Sequence, residues 1–136
     1  RLTRGEALEE PVEQPVPLSQ DDIFAARKQV LSIHLAEELE QYLVDLIIAT
    51  RQPAKYDQQL AKWLAYGASP RATISLDKCA RANAWLDGRD FVTPDDIQTV
   101  FFNTLRHRIL LSYEAEAAGI SADRILKRIL ELVAVP

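Results

Sequence analysis

The stretch F-V-T-P-D-D-I, residues 91–97, constrains the folding of this chain more than any other. Thr93 can cap a helix, and Pro94 lacks an N–H that a first helical residue would leave unpaired anyway. Asp95 and Asp96 then set negative charge against the positive helix end. Ile97, Val100, Phe101 and Leu105 follow at helical spacing as a buried face. The same pattern of signals recurs along the chain. Ser19, with Asp21 and Asp22 behind it, opens a helix whose short apolar stripe is Ile23, Ala26 and Val30. After an interruption near residues 31–34, Leu35, Leu39, Tyr42, Leu43, Leu46 and Ile47 form a second stripe. Glu37, Glu38, Glu40, Gln41 and Asp45 lie mostly on the opposite face. Pro53 ends that helix. Ser69-Pro70 opens a third helix, with Ser69 as cap and Pro70 at its first position. Ser121 opens a last one, carrying Ile125, Leu126, Ile129, Leu132 and Val133. The fold class that follows is all-α, a compact bundle of about five helices with at most a minor short extended pairing.

Two segments stay open at this level. Residues 53–68, with Leu60, Trp63 and Leu64, can form a short helical turn or a loop held down by Trp63. R-H-R-I-L-L-S-Y, residues 106–113, can prolong a helix or turn into a short strand. In the third helix Ala72, Leu76, Cys79, Ala82 and Leu86 predict a buried stripe of mostly small residues, with Cys79 a buried, inert thiol. Asn83 falls in the same sector and needs a hydrogen-bond partner if buried. Ile74 and Trp85 share a second face. Gly88 stops the helix where a left-handed residue is usual. Residues 1–18, rich in Pro and Glu, read as a linker or extended arm from a preceding core domain, and residues 19–136 as the helical domain.

Composition removes several function classes. A net charge of −4 opposes general binding to a nucleic-acid backbone. No apolar run approaches the ~18 residues of a membrane span, so no membrane insertion is expected. The single cysteine rules out an internal disulfide and fits a reducing, cytoplasmic setting. The four glycines are isolated, so no glycine-rich phosphate cradle is present. His34 and His107 lack partners at metal-ligand spacing, and no metal site is predicted. Glu114 and Glu116 read as a solvated face. No free-standing active site emerges.

One residue runs against helix logic. In G-A-S-P-R-A, residues 67–72, Arg71 falls in the first turn of the third helix, where unpaired N–H groups already make the end electropositive. A guanidinium beside such a helix start makes a site suited to phosphate. The alternative is an arginine that bends to water or pairs with an acid, and spacing alone leaves both open.

G-A-S-P-R-A resembles the sensor-2 motif of the MoxR family of AAA+ ATPases. The likeness continues through I-A-T-R (48–51), L-D-K-C-A-R-A-N-A-W-L-D-G-R-D-F-V-T-P-D-D-I (76–97), L-R-H-R-I-L-L-S-Y-E-A-E-A-A-G-I (105–120) and I-L-E-L-V-A-V-P (129–136). These blocks resemble that family's C-terminal lid domain over most of residues 19–136. One departure is Ala36, where a capping Ser or Asp is usual. The resemblance implies that Arg71 is the sensor-2 arginine, reaching the γ-phosphate of ATP bound with Mg²⁺ by a separate P-loop core domain of the same chain. Ser69 and Pro70 would fix the helix start, and Gly67 would let the backbone pass close to the nucleotide. It further implies neighbouring subunits in a hexameric ring and chaperone-like maturation of client proteins, some with von Willebrand A-type domains. These residues alone, lacking a P-loop, should neither bind ATP tightly nor hydrolyse it. Two other readings compete. One is a stand-alone helical adaptor with a protein-binding groove near Trp63 and Trp85 and no nucleotide chemistry. The other is nucleic-acid binding through Arg71, Lys78, Arg81, Arg106 and Arg108, which the acidic balance opposes. Arg106, His107 and Arg108 receive no role from the resemblance.

Overall fold

The helix starts legible in the sequence are, with one exception, those of the structure, a computed structural model that describes residues 16–136. In chain order the elements are α1 (Gln20–Ser32), α2 (Glu37–Arg51), a 3₁₀ turn (Pro53–Lys55), α3 (Gln58–Trp63), β1 (Leu64–Tyr66), α4 (Arg71–Leu86), α5 (Pro94–Leu105), β2 (Leu110–Leu111), α6 (Tyr113–Ala117) and α7 (Ala122–Leu132). The chain is an all-α bundle. Two short helices lie beyond the expected five: α3 falls in the open segment 53–68, and α6 starts at Tyr113, the last residue of the open segment 106–113, and runs past it. The arm expected over residues 1–18 lies mostly outside the described residues.

The caps are realised in atoms. Ser19 Oγ accepts the Asp22 N–H at 3.1 Å, and Asp22 Oδ2 accepts the Ser19 N–H at 3.1 Å. Ser121 Oγ accepts from the Arg124 N–H at 3.2 Å. Ser112 and Asp57 do the same for the short α6 and α3. Ala36 precedes α2 without a side-chain cap, and Glu37, Glu38 and Glu40 offset this by charge in the first turn. Gly88 and Gly119 sit at φ of 74° and 67°. At each, the glycine N–H and the next N–H turn back onto the preceding helix, Gly88 to Trp85 O and Arg89 to Ala84 O, Gly119 to Glu116 O and Ile120 to Ala115 O.

α2, α4, α5 and α7 enclose the core. α2 buries Leu39, Tyr42, Leu43, Leu46 and Ile47, the expected stripe, and adds Ala49 and Thr50. α7 contributes Ile125, Leu126 and Ile129, and α5 contributes Ile97, Phe101 and Leu105. α4 corrects the expectation. Its buried face is Ala72, Leu76, Ala80 and Ala84, while Cys79 and Leu86 are exposed and Ala82 is only half-buried. Alanine is nearly indifferent to burial, so a helix rich in alanine offers two adjacent faces that hydropathy alone cannot rank. α1 also differs: it buries no residue, and Ile23, Ala26 and Val30 lie against Trp85 at the edge of α4.

Two minor pairings join distant loops. β1 and β2 are antiparallel, Leu64 facing Leu111 and Tyr66 facing Leu110. His34 bridges to Phe91 in parallel fashion. The polar centre of the fold is Asp96, which is 1% exposed. It accepts two bonds from Arg89 (2.5 and 2.7 Å), two from Thr93 (N–H 2.7 Å, Oγ 2.9 Å) and one from Asn83 Nδ2 (2.8 Å). Burial pushes its carboxyl upward, but the bonds from Arg89, Thr93 and Asn83 prevail and hold it well below the usual carboxylate range. The partner that Asn83 required is therefore the first-turn acid of the next helix.

Candidate functional site

The loop before α4 is pinned to the end of α2. Thr50 Oγ1 donates to Ile47 O at 2.7 Å and accepts the Ala68 N–H at 2.9 Å. Arg51 Nη1 donates to Ala68 O at 3.2 Å. Both Thr50 and Ala68 are buried. A Cβ on Gly67 would stand 2.2 Å from Thr50 O and 2.7 Å from Arg51 N. The close approach that calls for glycine here is therefore to the chain's own α2. Sequence reasoning noticed I-A-T-R only as part of a resemblance. Its physical role is this clamp, which Thr50 and Arg51 close on Ala68.

From the clamp the chain turns directly into α4, and here Ser69 and Pro70 are corrected. Pro70, at φ −56° and ψ −26°, stands just before the first helical residue, and no side-chain cap is made. Ser69 acts through its backbone: its carbonyl accepts the Ala72 N–H at 2.8 Å, and Pro70 O accepts the Thr73 N–H at 3.1 Å. The start is thus a tight turn with i to i+3 bonds. A side-chain cap has little left to satisfy, because Pro70 has no N–H and those of Ala72 and Thr73 are engaged, leaving only that of Arg71.

This changes the local electrostatics. Most N–H groups at the helix start are spent, leaving the N–H of Arg71 without an acceptor among the described residues. The side chain of Arg71 is exposed, and it makes no hydrogen bond or ion pair with any described residue. By contrast Arg81, Arg89, Arg106 and Arg128 all pair with acids. Arg71 is a cation on a rigid mount, held between a clamped loop and a helix whose next residue, Ala72, is fully buried. The residues Gly67, Ser69, Pro70 and Arg71 are brought together, but only Arg71 offers chemistry outward.

The competing surfaces are dispersed. Trp63 lies beneath Arg124, 5.6 Å from guanidinium carbon to ring centroid, whereas Trp85 Nε1 donates to Gln29 Oε1 at 2.9 Å beside α1. The two tryptophans line separate grooves. Of the basic residues considered for nucleic acid, Arg81 is tied to Asp77 and to Ile33 O, and Arg106 to Asp123 at 2.6 Å. Among the described residues no group of three or more His, Cys, Asp or Glu could hold a metal ion, and no helix is long and apolar enough to cross a membrane.

The bundle thus holds at a clamped helix start an exposed arginine that has no partner among the described residues. The family model described as "AAA lid domain" matches residues 60–129, from α3 into α7, and the chain belongs to that family. It is similar to proteins of the MoxR type. It is 37% identical over 120 residues to the protein named Chaperone MoxR1 of Mycobacterium tuberculosis, covering 88% of this chain and 32% of that one. It is 35% identical over 105 residues to Protein MoxR of Methylorubrum extorquens, covering 72% and 30%. The crystal structure of an inferred ATPase from Cytophaga hutchinsonii superposes with a TM-score of 0.89 at 37% identity, covering 99% of this chain and 42% of that one. The chain thus spans about a third of the length of the curated relatives it matches.

Proposed function

We propose that this domain is the sensor-2 lid of a MoxR-type AAA+ ATPase, closing over ATP held with Mg²⁺ by a P-loop core domain elsewhere in the same protein. The observation that carries the reading is Arg71: exposed, without a partner among the described residues, and mounted by the Thr50–Ala68–Arg51 clamp. Bound ATP would supply a triphosphate whose negative charge is redistributed during phosphoryl transfer, which a positioned cation would stabilise. The tight turn at the start of α4 leaves that task to the guanidinium and the single Arg71 N–H. Gly67, Ser69 and Pro70 serve by shaping the mount. The residues that hold Mg²⁺ and cradle the phosphates belong, on this reading, to the core.

The rigid path from clamp to bundle gives the lid a way to pass motion onward. A shift of Arg71 would carry α4, and the hydrogen bond from Asn83 to Asp96 would carry α5 with it. We propose that this motion acts on neighbouring subunits of a hexameric ring in the cytoplasm and drives chaperone-like maturation of clients, those with von Willebrand A-type domains among them. The name of the Mycobacterium tuberculosis relative, Chaperone MoxR1, supports the chaperone part of this reading.

The test is Arg71→Ala in the full-length protein, with hydrolysis and nucleotide binding measured separately. Hydrolysis should fall by roughly a hundredfold or more, with binding weakened far less. A mutant that hydrolyses ATP at the full rate removes Arg71 from this role.

A further inference from the structure

Of the α4 stripe that the sequence assigned to the core, Cys79 is instead exposed. Between α4 and α5 runs a groove of about 570 Å³. Ser75, Lys78 and Cys79 line it from α4, and Thr104, His107 and Arg108 line it from the end of α5 and the turn after it. In a chain of net charge −4, no Asp or Glu lines this groove. Lys78, His107 and Arg108 make no ion pair with any described residue, unlike Arg81, Arg89, Arg106 and Arg128. Arg108 donates Nε to Thr104 O at 2.9 Å, which holds its guanidinium along the groove.

A second feature points to a ligand. Thr104 is 6% exposed, yet its hydroxyl has no hydrogen-bond partner among the described residues. No fully enclosed side-chain polar atom among them lacks a partner. Thr104 lines the groove, and its hydroxyl, a donor and acceptor, is unspent on the described residues.

We infer that Cys79 is a thiolation site for an anionic low-molecular-weight disulfide of the glutathione type, whose carboxylates are received by Lys78, His107 and Arg108. The step is thiol–disulfide exchange. The Cys79 thiol gives its proton to solvent, and its sulfur attacks one sulfur of the reagent. The new Cys79–S bond forms as the reagent's S–S bond breaks. The other half leaves as a thiolate and is protonated, so Cys79 is oxidised and the departing half is reduced. The cations Lys78 and Arg108 raise the local concentration of an anionic reagent beside Cys79. This inference does not depend on the nucleotide reading of Arg71.

The experiment compares two reagents on this chain: oxidised glutathione, which is anionic, and the neutral disulfide of 2-mercaptoethanol. The rate of adduct formation is followed by intact mass, with an unstructured cysteine peptide as reference. Cys79→Ser should give no adduct with either. The preference for glutathione over the neutral reagent should exceed that of the peptide by about threefold or more at low salt and shrink as salt rises. Lys78→Gln with Arg108→Gln should bring it to the peptide's value while leaving the neutral reagent's rate nearly unchanged. Thr104→Val, which keeps the shape of the side chain, should lower the glutathione rate alone. A preference equal to the peptide's, or one unmoved by the charge removals, overturns the inference.

Discussion

Replacing Gly67 with alanine tests the clamp on which the whole site rests. The added Cβ would meet Thr50 O at 2.2 Å, Thr50 C at 2.4 Å and Arg51 N at 2.7 Å, all backbone atoms of a helix end. None can swing aside as a flexible side chain would. Ordinary contact therefore requires the β1–α4 loop to lift from α2 by about 1 Å, a form of overpacking that costs about 1–3 kcal/mol. That displacement also stretches the Ala68 N–H bond to Thr50 and the Arg51 bond to Ala68 O. Ala68 is fully buried, so its N–H is left without water, at about 1–3 kcal/mol. Together these place Gly67→Ala near 3 kcal/mol of destabilisation, read as a lower denaturation midpoint at unchanged slope. Thr50→Val removes only the hydroxyl and should cost about 1–2 kcal/mol. The double variant should cost clearly less than the sum, because both changes remove the same bond. A cost below about 0.5 kcal/mol for Gly67→Ala, as for a neutral surface change, would refute the reasoning, and so would full additivity with Thr50→Val.

Gly88→Ala provides the contrast: its φ of 74° strains any Cβ, but nothing lies within 4 Å, so the cost should be about 1 kcal/mol and no more than 2. Arg71→Ala should leave the stability of the isolated chain within about 0.5 kcal/mol, measured by thermal melting, because the side chain has no partner to lose among the described residues. Asp96→Asn should destabilise by about 3–5 kcal/mol, since it strips charge from a buried pair with Arg89 and faces donors with an NH₂ group. Because the folded Asp96 carboxyl titrates below its ordinary value of 3.8, its contribution is present above about pH 4. That contribution is lost as pH falls through the lower, folded value. The wild-type denaturation midpoint should therefore drop on acidification below pH 4, and Asp96→Asn should flatten that drop. Asp22, Asp57 and Asp123, also shifted down, leave a residual slope.

What the sequence determined by itself is what short-range chemistry encodes. Ser19, Thr93 and Ser121 mark helix starts because a cap and its acid act within one turn. Gly88 marks a helix end because a left-handed residue is a local demand. The stripe of α2 was legible because leucine, isoleucine and tyrosine differ sharply from glutamate in transfer free energy. The odd placement of Arg71 was legible for the same reason, since the helix dipole is local.

Tertiary structure decided the matters in which several segments compete for one space. On α4, alanines left two faces equivalent, and packing against α2 and α5 chose Ala80 and Ala84 over Cys79 and Ala82. The pairing of Leu64 with Leu111 spans residues too far apart for any local rule, so both segments stayed ambiguous until the bundle brought them together. That α2 presses against Gly67 was not legible, nor that a tight turn would stand in for the side-chain cap expected of Ser69. The sequence alone determined where a cation would stand. The clamp of Thr50 and Arg51 on Ala68, made by residues 17 and 18 positions away, decided how rigidly it is held.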